Sequence, residues 1–215
     1  MKIACLHTAD SNIAVYEQAA SKLGLVSGSL LHHVRADLLF SAERAGGLTA
    51  DIAAETASVL LSLADEADAV VLNCSTLGPS IASIKGKTNI PILRADATLA
   101  ESAAKTDGKV VVLCTTQTTI APTTDLFEAA ARQSGAKIDV RLIAGAWALF
   151  RAGDLDGYFE RIAEAADVAY REGAATVAFA QASMTDAAWM VKTKGRLPMT
   201  GPTIGLHAAM TAAAS

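Results

Sequence analysis

The feature that most constrains this chain is that its sequence is written twice. An ungapped shift of 107 residues pairs Lys2 with Lys109, Leu6 with Leu113, Thr8 with Thr115 and Ile13 with Ile120. The same shift pairs Ser27-Gly28 with Ser134-Gly135, Ala45-Gly46 with Ala152-Gly153, Val70 with Val177, Pro91 with Pro198 and Leu99 with Leu206. Single matches come cheaply in an alanine-rich chain; two shared dipeptides and a shared proline in one register do not. A chain of 215 residues repeating at that period is two similar units.

The first copy reads as alternating strand and helix. Lys2–Leu6 is a strand pattern, and a polar turn leads from it into helical spacing over Ile13–Leu23, closed by Gly24. Leu30–Val34 is a second strand, Leu48–Ala64 a long helix and Ala69–Leu72 a buried strand rich in β-branched residues. Ile84–Asn89 is a basic connector, Ile90–Leu93 a short strand and Ala97–Ala104 a helix, after which Lys109–Leu113 starts the series again. This alternation predicts an α/β fold of two pseudo-symmetric, Rossmann-like lobes with parallel sheets, and a site in the cleft between them. The expected division is residues 1–97 plus 203–215 for the first lobe and 98–202 for the second, with Thr203–Met210 crossing back.

Composition removes several function classes. The net charge is −4 with no basic stripe, which argues against nucleic acid as a partner. No stretch has the pattern of a signal peptide or the length of a membrane span, so a cytoplasmic location without membrane contact is expected. The three cysteines, Cys5, Cys74 and Cys114, form no Cys-x-x-Cys, and the four histidines lack ligand spacing, so no metal is expected. Homo-oligomerisation stays open.

Ligands of open α/β sheets bind beyond the carboxyl ends of the strands. The candidate turns are therefore His7–Asn12, Asn73–Ser75, Cys114–Thr119 and Gln181–Ser183. Cys74 ends a strand and precedes a turn in which Pro79 suits a first helical position. The amides there would stabilise a thiolate or hold a carboxylate, whereas a packed structural cysteine is the plain alternative. Positive charge for an anion would have to come from such amides rather than from an arginine cluster.

Val70-Val71-Leu72-Asn73-Cys74-Ser75-Thr76, Val112-Leu113-Cys114-Thr115-Thr116-Gln117-Thr118-Thr119 and Pro91-Ile92-Leu93-Arg94-Ala95-Asp96 resemble the aspartate/glutamate racemase superfamily. That superfamily includes hydantoin racemases, maleate isomerases and arylmalonate decarboxylases, and the similarity runs over nearly the whole chain. The resemblance implies cofactor-independent chemistry on the carbon next to a carboxylate of a small acid. In the racemases one cysteine per lobe flanks that carbon. Cys74 matches the first; the second falls on Gln181, an amide that cannot act as an acid or base but can donate hydrogen bonds. The arylmalonate decarboxylases also keep a single thiol, but in the second lobe.

The expected enzyme is thus a racemase-like isomerase with one catalytic thiol, Cys74, assisted by Gln181. A single-cysteine decarboxylase or isomerase, or a non-catalytic carboxylate-binding module, is the alternative. Thr115, Thr118 and Thr119 would form an anion nest, unless they serve only as helix caps. Ser11, Asn12, Asn73, Ser75, Thr76, Ala182 and Ser183 complete the expected substrate contacts. Asp10 is a specificity candidate, and Asp186 and Trp189 either line the pocket or begin a solvated helix. His7 is either a second acid/base or a structural histidine, while Cys5 and Cys114 read as core.

Overall fold

The structure is a computed structural model and describes residues 1–132 and 134–214. These fall into two compact units, Met1–Thr98 together with the residues from Pro202 on, and Leu99–Gly201.

The first unit runs β1 (Ile3–His7), α1 (Ser11–Lys22), β2 (Leu30–Val34), α2 (Ala36–Arg44), α3 (Ala50–Ala64), β3 (Ala69–Leu72), a 3-10 helix over Gly78–Ile84, β4 (Ile92–Arg94) and the start of α4 (Ala95–Ala104). Its sheet is fully parallel in the order β2-β1-β3-β4. Every residue of the central strands β1 and β3 is buried, which is why they read as unbroken apolar runs. Alternation along the strands divides their side chains between two faces. Ala4, Leu6, Val70 and Leu72 pack with Leu38 of α2 and Ala57, Leu60 and Leu63 of α3. On β1, Cys5 and His7 alternate with Ala4 and Leu6, and Tyr16 of α1 meets the His7 ring.

The second unit repeats the plan with β5 (Lys109–Cys114), α5 (Ile120–Ala131), β6 (Lys137–Leu142), α6 (Ala146–Ala152), α7 (Leu155–Arg171), β7 (Thr176–Phe179), a 3-10 helix over Ala182–Met190 and β8 (Met199–Thr200). Its parallel sheet has the corresponding order β6-β5-β7-β8. The chain then enters α8 (Gly201–Ala213), which returns to the first unit. Among the described residues no helix is long and apolar enough to cross a membrane.

The 107-residue shift carries β3 onto β7 end for end. It also explains the repeated dipeptides. Gly28, Gly135, Gly46 and Gly153 all adopt left-handed backbone, with φ of 81°, 74°, 76° and 78°, a conformation that disfavours side chains. Pro91 and Pro198 precede β4 and β8, edge strands where a missing amide donor is tolerated.

Several boundaries differ from the periodicity. Helix α1 starts at Ser11 and α4 at Ala95, directly after Arg94, where Asp96 accepts from the Ala97 amide at 2.9 Å. The strand expected at Ile90–Leu93 lies at Ile92–Arg94, and the connector read from Ile84 begins one residue later because Ile84 closes the 3-10 helix.

Candidate functional site

In the first unit the site is built on the end of β3. Asn73 still donates its amide to the Leu6 carbonyl at 2.9 Å, and then the chain leaves the sheet as a turn closed by Gly78 N–H to the Ser75 carbonyl at 3.2 Å. Asn73, Cys74, Ser75 and Thr76 are half-buried, Leu77 is buried beneath them, and Pro79 occupies the first turn of the 3-10 helix. The buried leucine after four half-buried polar residues ties the turn to the core.

The Cys74 sulfur faces the backbone N–H groups of Leu77 and Thr76 and the hydroxyl of Thr8, which follows β1. The sequence favours a thiol acidified by these donors. The structure reverses the sign: burial raises the thiol above its ordinary value, and the three donors offset only part of that. Asp96 adds to the rise. The unliganded thiol is therefore protonated at neutral pH, which suits it to donate a proton.

Arg94 is the residue that sequence reasoning missed. It stands beside Leu72 in the β3–β4 ladder and pairs with Asp96 through two hydrogen bonds of 2.9 and 2.7 Å. Its guanidinium lies so close to Gly78 that any Cβ at that position would overlap it. A half-buried cation thus adjoins the Cys74 turn, although the sequence reading left anion binding to backbone amides and threonine hydroxyls without arginine. Nothing in the spacing from Cys74 to Arg94 announces this; the sheet pairing creates it.

In the second unit Gln181 stands at the end of β7 with its amide fully oriented. Its Oε1 accepts from the Thr115 amide at 2.9 Å and from the Thr115 hydroxyl at 3.1 Å, and its Nε2 donates to the Thr116 hydroxyl at 3.0 Å. Two donors on one oxygen leave no ambiguity of orientation, and one N–H stays available to a ligand. The shift that equates Cys74 with Gln181 also equates Thr8 with Thr115, so each unit directs the same threonine at its end-of-strand residue. Thr115 is buried and spends both donors on Gln181, so it positions that residue rather than lying open to an anion. The Thr119 hydroxyl bonds the Thr116 carbonyl at 2.8 Å, and Thr118 is exposed. Ala182 begins the 3-10 helix, and Ser183 shares a 2.9 Å hydrogen bond with the hydroxyl of Tyr158 on α7. Asp186 is half-buried in that helix and Trp189 is exposed at its far end.

The turn after β1 places Thr8 half-buried and Asp10 and Ser11 exposed, while Asn12 is buried in α1. His7 is wholly buried. Its Nε2 lies 2.9 Å from His32 Nδ1 and its Nδ1 lies 3.2 Å from Asn73 Nδ2. Burial first, and the neighbouring His32 second, push its pKa down to about 3. A neutral imidazole with both nitrogens engaged holds no proton for a ligand, which argues against His7 as the second acid/base. Cys5 and Cys114 are fully buried, and burial pushes the Cys5 thiol up to about 12. The donor atoms of Cys5, His7 and His32 lie within 4.8 Å of one another, a grouping of metal-ligand types that linear spacing could not reveal. It arises because parallel pairing sets Cys5 opposite His32.

A family model described as Asp/Glu/hydantoin racemase matches residues 10–203. Among solved structures, the aspartate racemase of Picrophilus torridus aligns with a TM-score of 0.73 at 13% identity, over 100% of this chain and 95% of that one. An aspartate racemase homologue from Pyrococcus horikoshii aligns with a TM-score of 0.68 at 12% identity, over 100% and 99% of the two chains. The allantoin racemase of Klebsiella pneumoniae gives 0.67 at 14% identity, over 100% and 88%. At these identities the likeness is one of fold. A search of curated proteins finds no match.

Proposed function

The chain belongs to the Asp/Glu/hydantoin racemase family and is a racemase-like isomerase, and on that premise we propose that Cys74 carries a proton to or from the carbon beside the carboxylate of a small acid. The observation that carries this reading is the setting of the thiol. It is half-buried at a strand end, faced by two amides and a hydroxyl, and held protonated by its burial.

The equivalent residue of the second unit, Gln181, has no proton to exchange near neutral pH. Its role in the proposal is to aim its remaining N–H at the oxyanion of an enediolate-like intermediate. Thr115 and Thr116 hold the amide in that orientation. Ser11, Asn73, Ser75, Thr76, Thr118, Thr119, Ala182 and Ser183 are the further substrate contacts of the proposal. Asn12 and Thr115 are both buried, and Thr115 acts through Gln181. Arg94 adds a cation for the carboxylate, tempered by its pairing with Asp96.

A single thiol also supports a second reading, decarboxylation of a geminal diacid. There the C–C bond electrons pass into the enediolate as carbon dioxide leaves, and the Cys74 proton is delivered to that carbon on one face.

The test is exchange in heavy water with a panel of small 2-substituted acids. The unmodified protein should place deuterium on the α-carbon with a single handedness. Cys74→Ala should slow that incorporation by about 10²–10⁴-fold, the usual worth of general acid–base assistance. Incorporation at an undiminished rate in Cys74→Ala would remove Cys74 from the chemistry.

A further inference from the structure

We propose that Glu17, on the outer surface of α1, sets the hydrogen-bond direction of Asn73, the residue beside Cys74, through a two-histidine relay. Glu17, His32 and His7 are then positioning residues for the proposed reaction, and the inference rests on that reading of Cys74.

The chain of contacts is continuous. Glu17 Oε1 lies 3.0 Å from His32 Nε2, His32 Nδ1 lies 2.9 Å from His7 Nε2, and His7 Nδ1 lies 3.2 Å from Asn73 Nδ2. Its polarity follows from chemistry at either end. An ionised carboxylate can only accept, so His32 donates from Nε2. When that is the only proton on His32, its Nδ1 accepts, so His7 donates from Nε2 and accepts at Nδ1. Asn73 must therefore offer its N–H, and its nitrogen is the atom placed there. The two ends agree. Asn73 is left with Oδ1 and one N–H uncommitted among the described residues, in a turn whose next residue is Cys74.

The relay runs from solvent to the interior. The Glu17 side chain is 48% exposed, that of His32 13%, and His7 is buried edge-on to Tyr16 at a centroid distance of 4.9 Å. Reversing the outer group reverses every bond inward of it. An ammonium at position 17 would donate to His32 Nε2, His32 would donate from Nδ1, and His7 would carry its proton on Nδ1. Asn73 would then have to turn its carbonyl to His7 and its NH2 group the other way.

Glu17→Lys and Glu17→Gln separate direction from mere contact, because a glutamine oxygen can still accept. Long-range ¹⁵N NMR of the histidines reads the tautomers without any substrate. The unmodified protein and Glu17→Gln should show His7 and His32 both protonated on Nε2, and Glu17→Lys should show both on Nδ1. Deuterium incorporation should fall by about tenfold in Glu17→Lys, the scale of one misdirected hydrogen bond, and stay within about twofold in Glu17→Gln. A His7 that keeps its Nε2 proton in Glu17→Lys overturns the relay, as does stoichiometric zinc in the purified protein, since a metal would take the nitrogens the relay joins by a proton. Inverted tautomers with unchanged incorporation overturn the positioning role. If no acid exchanges in the unmodified protein, the reading of Cys74 fails while the tautomers still decide the relay.

Discussion

Cys74 and Gln181 close equivalent strands, each with a threonine of its own unit aimed at it, and differ in whether they carry a labile proton. Gln181→Cys therefore tests what the amide replaces. On the proposed reading of Cys74 and Gln181, the new thiol should add proton transfer from the second face, seen as loss of handedness in the deuterium label. It should also orphan the Thr115 amide and take one partner from the hydroxyls of Thr115 and Thr116, so stability in a urea titration should fall by about 1–3 kcal/mol. Retained single-face labelling with a reactive new thiol would count against the equivalence. His7 makes a different prediction. Its folded pKa of about 3 lies below its ordinary 6.5, so between those values the unfolded chain binds a proton that the native state refuses. Stability should be complete above about 6.5 and decline as pH falls toward about 3. Urea midpoints across that range should show the decline, and His7→Gln should flatten it.

At the scale of elements, the turn carrying Gln181 is anchored at its far end by α7. Asp167 on that helix accepts from the amides of Lys192 at 3.1 Å and Thr193 at 2.9 Å, and from the Thr193 hydroxyl at 2.6 Å. Burial raises the Asp167 carboxyl, but the Thr193 hydroxyl and the two amides hold it below the ordinary range. Tyr158, nine residues earlier on α7, reaches Ser183 at the near end of the same segment. Asp167→Ala should strand three donors and lower stability by about 2 kcal/mol in denaturant titration. Because the native carboxylate is favoured, that contribution exists above the ordinary carboxyl range and disappears in acid. The difference between Asp167→Ala and the unmodified protein should therefore shrink as pH falls through the carboxyl range.

At the scale of the whole molecule, the first unit is discontinuous in sequence. It is completed by α8, whose Leu206 and Ala209 are fully buried and whose Gly205 lets the helix approach Ala95. A Cβ at Gly205 would stand 3.3 Å from the Ala95 backbone, which accounts for the glycine by close packing. Leu206→Ala should cost about 2–5 kcal/mol, the range for emptying a buried leucine site, and the loss should appear in the unit that begins at Met1. Hydrogen exchange should locate it, with protection falling in β1 and β3.

Sequence alone determined what depends on order along the chain: the repeat, the strand–helix alternation and the parallel sheets. It also placed Cys74 and Gln181 at strand ends, because a polar turn after a buried strand is a local pattern. Tertiary structure decided what depends on neighbours from distant segments. Arg94 comes to the thiol turn through the β3–β4 ladder, and Glu17, His32, His7 and Asn73 line up only once β1 pairs with β2 and β3. The sign of the Cys74 shift belongs to the same class. Local amides favour the thiolate, but burial is a property of everything packed around the sulfur, and here it is the larger effect.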